Sequence, residues 1–309
     1  MNPVRAYLFP GQGSQKVGMG KALAETFPQA RAVYEEASAA LGFDIGKLCF
    51  EGPEVELTLT ANAQPAILTT SVAALRVLEA ETALKPDFVA GHSLGEYSAL
   101  VAAGALSLAD AVRVVNLRGK FMQEAVPAGV GAMAAILGLE AAVIDAACRE
   151  VRAETGAVVS PANLNGGGQV VIAGAKAAVD RAVELLKQRG AKRAVPLAVS
   201  APFHCALMQP AADRLAVELA RISFRAPSVP VVTNVEAAPN QDPERLRSLL
   251  VQQVTAPVRW EESIQQLAAL GVNQAVEVGA GAVLAGLVKR IAPTIEMRPA
   301  GDPEAIRSL

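Results

Sequence analysis

Cysteine, histidine and aromatic side chains are scarce in this 309-residue chain, which has three cysteines, two histidines and 4% aromatics. Cys49, Cys148 and Cys205 lie far apart and form no CxxC pair, so no disulfide framework is expected. A basic excess is also missing. Twenty-eight Lys and Arg against 30 Asp and Glu leave a formal charge of -2, which argues against nucleic acid as a partner. No apolar run is long enough to span a bilayer without glycine, proline or charge interrupting it, so no membrane partner is expected. Met1-Asn2-Pro3-Val4-Arg5 does not lead into an apolar core with a small-residue cleavage site. A cytoplasmic, reduced protein is the expectation. What the chain does have is Ala, Val and Leu, and 52% hydrophobic residues overall. Over this length that suffices for a large core and permits two domains.

The order of elements suggests how those domains are arranged. Ala6-Tyr7-Leu8-Phe9 reads as a short strand followed by a glycine-rich loop, Pro10-Gly11-Gln12-Gly13-Ser14-Gln15. Helical patterns cover 19–41 and 62–80, and Asp87-Phe88-Val89-Ala90 reads as a buried strand. A helix follows over 94–103. Another begins after Ser107, a plausible N-cap with Asp110 three residues on, and runs to Glu124. Strands alternating with helices indicate a parallel sheet covered by helices. The pattern changes near Pro127. Strand-like Gly131 to Leu137, helical 140–153, strand-like Val158 to Leu164 and Gln169 to Ala173, helical 176–189 and strand-like Arg193 to Leu197 give the order βαββαβ. That order is ferredoxin-like. The glycine triplet Gly166-Gly167-Gly168 is read as a hairpin tip. The expected fold is therefore α/β: a parallel-sheet, α/β-hydrolase-like large domain of residues 1–127 and 199–309, with a ferredoxin-like subdomain of 128–198 inserted. Strands near 229–233 and 274–278 and helices near 207–221, 243–254, 260–270 and 282–291 complete the large domain.

Gly91-His92-Ser93-Leu94-Gly95 carries the strongest chemical signal. It has the G-x-S-x-G form of the nucleophile elbow, a sharp strand-to-helix turn with serine at its apex. The strand before it and the helix after it supply the context the motif requires. A serine hydroxyl needs a base. Of the two histidines, His92 precedes the apex and should point away from it. His204, in Pro202-Phe203-His204-Cys205, follows the inserted segment, where a cleft between domains is expected. Cys205 has no cysteine-protease context around it. An acyl-transfer site also needs oxyanion donors. The backbone N–H of Leu94 is one, and that of Gln12, between two glycines, is the second candidate. The same loop fits neither dinucleotide nor P-loop patterns, because Lys16 stands where the last glycine of G-x-G-x-x-G belongs and no Gly-Lys-Ser/Thr follows. Arg118 is flanked at helical spacing by Val114, Val115, Phe121 and Met122. An arginine on an apolar stripe either forms a structural ion pair, snorkels, or clamps a carboxylate, and spacing alone leaves these open.

These residues together resemble the malonyl-CoA:acyl-carrier-protein transacylases of fatty-acid and polyketide synthesis. The resemblance rests on Phe9-Pro10-Gly11-Gln12-Gly13-Ser14-Gln15, the elbow extended through Glu96-Tyr97, Arg118, Asn163-Leu164-Asn165, Pro202-Phe203-His204, Gln253-Val254-Thr255-Ala256-Pro257-Val258, and Glu277-Val278-Gly279 to Leu284. It runs in order over essentially the whole chain. It implies a ping-pong reaction through malonyl-O-Ser93, with His204 as base, oriented by the backbone carbonyl of Gln253 instead of a third acidic residue. It implies that Arg118 holds the malonyl carboxylate and that Asn163 and Phe203 belong to the substrate site. A bulky Phe203 is expected to narrow the pocket against an α-methyl group. Malonyl-CoA and acyl carrier protein are the implied partners, CoA is a product, and no cofactor or metal is implied. The family suggests a monomer. Lys192, Arg193, Lys289 and Arg290 are candidates for a basic rim facing an acidic carrier. A serine thioesterase would share the elbow and base without needing Arg118, and a docking subunit would need none of the three.

Overall fold

The computed structural model describes residues 3–199 and 201–309. Met1 and Asn2, which belong to the N-terminal stretch read above, lie outside the described residues, as does Ser200. Ten strands occur among the described residues. They are β1 (Val4–Phe9), β2 (Phe88–Gly91), β3 (Gly131–Leu137), β4 (Val159–Gly166), β5 (Gln169–Ala175), β6 (Arg193–Pro196), β7 (Val231–Val232), β8 (Pro239–Asn240), β9 (Val272–Val278) and β10 (Glu296–Ala300). Six of them form one sheet in the order β10-β9-β1-β2-β7-β8, parallel except for β8 at its edge. Ala6 to Phe9 of β1 are buried, as strands covered on both faces by helices must be. Ligand sites in such sheets lie beyond the carboxyl ends of the strands. β1 and β2 are adjacent and parallel, so the 10–15 loop and the Ser93 turn emerge side by side.

The second sheet is antiparallel, in the order β4-β5-β3-β6. Side chains alternate along each of its strands. Ala134 and Ile136 of β3 pack with Ile144, Cys148, Val179 and Leu186 of its two helices, Ala141–Thr155 and Lys176–Gln188. Met133 and Ala135 point the other way and join the main core. Gly166, Gly167 and Gly168 all have positive φ, as the tight β4–β5 tip requires. Leu164 N–H and Val258 C=O, with Val258 N–H and Ala162 C=O, tie β4 to the loop at 258.

Helix Leu108–Glu124 starts as expected, with the Ser107 side chain accepting from the Asp110 N–H at 3.1 Å. It packs against helix Thr60–Glu81, which is buried along most of its length. A Cβ on Gly119 would lie 2.6 Å from Ala61 Cα, so the two helices approach closely one residue from Arg118. The expected single helix over 19–41 is instead two, Lys21–Thr26 and Pro28–Leu41. Pro28 holds Phe27 in an extended conformation (φ -123°, ψ 121°), which stops the first helix. Helices Ile45–Glu51, Glu54–Leu57 and Pro303–Arg307 and strands β8 and β10 were not expected from the sequence. All five are short, and β8 has only two residues, too few for a period to show.

Candidate active site

Ser93 occupies the left-handed region at φ 51°. The turn exists because its neighbours lack Cβ atoms. A Cβ on Gly91 would lie 1.9 Å from Gly95 C, and one on Gly95 would lie 2.1 Å from Phe9 O. His204, on the loop after β6, is also left-handed at φ 58°. The two side chains meet, with Ser93 Oγ 2.7 Å from His204 Nε2. On the other side of the ring, His204 Nδ1 lies 2.8 Å from Gln253 O. A carbonyl can only accept, so Nδ1 carries the proton and Nε2 is free to receive one from Ser93. Burial, reinforced by the nearby Arg118 charge, lowers the His204 pKa to about 3. The imidazole is therefore neutral at neutral pH, with Nε2 unprotonated.

Arg118 is buried behind this pair. Its Nη1 donates to Gln64 Oε1 at 2.7 Å, and its Nη2 donates to Gln253 Oε1 at 3.0 Å and to Ser93 Oγ at 3.3 Å. None of its described hydrogen bonds reaches a carboxylate, and its Nε has no partner among the described residues. The structural ion pair left open above is therefore not what occupies this guanidinium. Burial lowers its pKa, opposed by Tyr97 and Glu96. Arg118 lines a cavity of about 390 Å³ together with Ser93, His204, Phe203, Met122 and Met133. Gln12, Leu94 and Asn163 line the same cavity. The backbone N–H groups of Gln12 and Leu94 donate to no other group among the described residues, which leaves both free to meet an oxyanion. The Gln12 side chain is anchored elsewhere, Nε2 donating to Thr60 Oγ1 at 3.2 Å.

His92 forms no bond to Ser93. Its Nε2 lies 2.8 Å from Asn165 Oδ1, and its ring tilts against Trp260. It nonetheless lines the same cavity. Cys205 is turned from the site. Its Sγ donates to Pro202 O at 3.1 Å, and burial raises its pKa to about 11. Of the four basic rim candidates only Arg290 lines a described cavity, one of about 350 Å³ that shares Gln12, His92 and Asn163 with the first.

Sequence reasoning missed Gln64, Asn234 and Glu96 as site residues. Glu96 is fully buried on the helix that follows the elbow. Its Oε2 accepts from Asn234 N–H at 2.8 Å and from Gln253 Nε2 at 3.0 Å. Burial raises the Glu96 pKa to about 7, against the opposing pull of those bonds and of Arg118. A carboxyl raised on folding favours the folded state while protonated, and that contribution is lost as pH rises from ~4.3 through 7. The expected result is that Glu96→Gln, which cannot ionise, gains on the wild type by roughly 2 kcal/mol between pH 5 and pH 8 in denaturant unfolding. A difference independent of pH would mean that Glu96 does not titrate in that window.

Comparison with known proteins identifies the family. Residues 6–299 match the family described as the acyl transferase domain. The malonyl CoA-acyl carrier protein transacylase of Escherichia coli (strain K12) is 54% identical over 301 residues, 97% of either chain. The solved transacylase of that name from Coxiella burnetii superposes with a TM-score of 0.96 at 46% identity, covering 99% of this chain and 96% of the other. A malonyl-transacylase solved in complex with its holo type II PKS acyl-carrier protein gives a TM-score of 0.95 at 51% identity, covering 98% and 97%.

Proposed function

The chain belongs to the acyl transferase family, and on that premise we propose that it carries a malonyl group through Ser93. Malonyl transfer from malonyl-CoA to acyl carrier protein is its activity. The observation that carries the residue assignment is a convergence on one oxygen. Ser93 Oγ has His204 Nε2 at 2.7 Å and Arg118 Nη2 at 3.3 Å, so a base and a carboxylate receptor flank the same nucleophile.

The reaction follows from that arrangement. Arg118 takes the malonyl carboxylate, a fork-to-fork pairing that a buried guanidinium favours. Ser93 Oγ attacks the thioester carbonyl carbon while His204 Nε2 takes its proton. The N–H groups of Gln12 and Leu94 hold the oxyanion. The C–S bond breaks, and His204 returns the proton to the departing CoA sulfur. The phosphopantetheine thiol of acyl carrier protein then gives its proton to His204 and attacks the Ser93 ester. The ester C–O bond breaks, and Ser93 recovers its proton from His204. Gln253 O keeps the ring oriented through both halves, in the place a carboxylate holds in a Ser-His-Asp triad. Asn163 borders the acyl path. No step calls for a metal or other cofactor. Acting on a carrier protein, the chain is read as a cytoplasmic monomer, and Arg290, which lines the adjoining cavity, is the rim residue this reading favours. No described helix is long and apolar enough to cross a membrane.

The test is intact-protein mass after brief exposure to malonyl-CoA or acetyl-CoA. A single malonyl adduct discharged by phosphopantetheinylated carrier protein is expected. An acetyl adduct in its place would remove the role of Arg118, and release of free malonate without an adduct would favour a thioesterase.

Phe203, nearly buried in the cavity wall, sets a second expectation. Phe203→Ser opens room beside the acyl α-carbon, so methylmalonyl transfer should rise relative to malonyl by about tenfold, the scale of one methyl group in a pocket. Competition between the two CoA esters measures it, and an unchanged ratio would exclude Phe203 as the selector.

A further inference from the structure

Ser93 holds a left-handed backbone that costs a serine about 1–2 kcal/mol. Gly91 and Gly95 make room for that turn, but room alone does not hold it. The groups that hold it come from Asn234, which is fully buried two residues beyond β7. Asn234 Oδ1 accepts the Ser93 N–H at 2.7 Å. Its Nδ2 donates to Gly91 O at 2.7 Å. One side-chain amide thus grips the backbone on both sides of His92. β7 pairs with β2 at Val89 with Val231 and Ala90 with Val232, and stops there. The Asn234 side chain continues the ladder by one rung, with a side-chain amide in place of the strand's peptide.

We infer that Asn234 is a positioning residue for the proposed acyl transfer, holding the Ser93 turn so that Oγ and the oxyanion donor are set together. Because Asn234 consumes the Ser93 N–H, the next N–H along, that of Leu94, is the one left facing the cavity. Asn234 is itself held. Its N–H donates to Glu96 Oε2 at 2.8 Å, and Glu96 lies on the helix that begins at the elbow. Gln253 Nε2 closes the ring, with Glu96 Oε2 at 3.0 Å, Ser93 O at 3.1 Å and Asn234 Oδ1 at 3.2 Å. The same Gln253 orients His204 through its carbonyl. Nucleophile turn and base are therefore referenced to one buried set of amides and one carboxyl. Asn234 does not line the cavity, so its effect is on rate and not on substrate affinity.

This inference rests on the function proposed above, and its test separates the two. Single-turnover formation of the malonyl adduct and steady-state transfer are measured for wild type, Asn234→Ala and Asn234→Asp, beside thermal melting. Asn234→Ala should acylate about 100-fold more slowly, the scale of a misplaced oxyanion donor. Its KM for malonyl-CoA should stay within about threefold of wild type, since Arg118 and the cavity wall are untouched. Asn234→Asp keeps the acceptor for the Ser93 N–H but sets a second carboxylate oxygen against Gly91 O, so it too should acylate more slowly than wild type. A folded Asn234→Ala that acylates at the wild-type rate would overturn the inference, as would a loss expressed wholly in KM. Failure of both variants to melt cooperatively would also overturn it, because Asn234 would then serve the fold alone. A wild type that forms no malonyl adduct would remove the function reading itself, and this inference with it.

Discussion

Ser93→Ala should form no malonyl adduct and should lose transfer by about three to six orders of magnitude, the range seen when a nucleophile of this kind is deleted. The loss should fall on kcat. Arg118, Phe203 and the oxyanion donors all remain, so malonyl-CoA should still bind with little change. Removal of the hydroxyl frees His204 Nε2 from its 2.7 Å partner and takes one of three acceptors from Arg118. The side chain removed is small and sits at a cavity wall, so the fold should survive. Intact mass, transfer rate and CoA-ester binding are the measurements. Residual transfer near wild-type levels would mean that acyl passes directly between thiols, without the serine. An adduct persisting on another residue would move the nucleophile elsewhere, and Cys205, buried with its thiol bonded to Pro202 O, is poorly placed to be it.

Arg118→Ala should separate the two acyl donors. The malonyl carboxylate would enter a buried site without its cation, and breaking one side of such a pair costs about 2–5 kcal/mol. That corresponds to a fall of roughly 30- to 4000-fold in kcat/KM for malonyl-CoA. Acetyl-CoA has no carboxylate to lose. Its kcat/KM should change by less than about tenfold, so the preference for malonyl collapses while the serine still acylates. Equal losses for both donors would make Arg118 a support for Ser93 and Gln253 instead of a selector. The variant also leaves the acceptors of Gln64 and Gln253 unsatisfied, so some loss of thermal stability accompanies it.

The elbow was legible because its physics is local. Two glycines, a serine and a strand-to-helix switch all fall within one short run, and the structure places each where that pattern requires. Arg118 was legible as a problem but not as an answer. Helical spacing showed a charge on an apolar stripe, whereas the absence of a carboxylate partner depends on Gln64, which lies on a helix that meets it only because Gly119 permits the approach. Asn234 was not legible. Its neighbours in sequence read as an ordinary strand end, and its two bonds to the elbow join residues more than a hundred positions away. The βαββαβ order could be read from alternating periods, and the pairing order β4-β5-β3-β6 is the one a ferredoxin-like unit adopts. What the alternation did not convey is that one face of that sheet joins the main core through Met133 and Ala135.

The position of β1 bears on how the protein is made. One of its two neighbours is β9, with Val4 paired to Val272, so β1 is synthesised long before the strand that flanks it. Non-local pairing of this kind is slow and comes late. The loop bearing Gln12 hangs from β1, and the carbonyl that orients His204 is supplied by Gln253. A nascent chain therefore presents Ser93 before it has Gln253 to orient His204 and before β1 has its second neighbour.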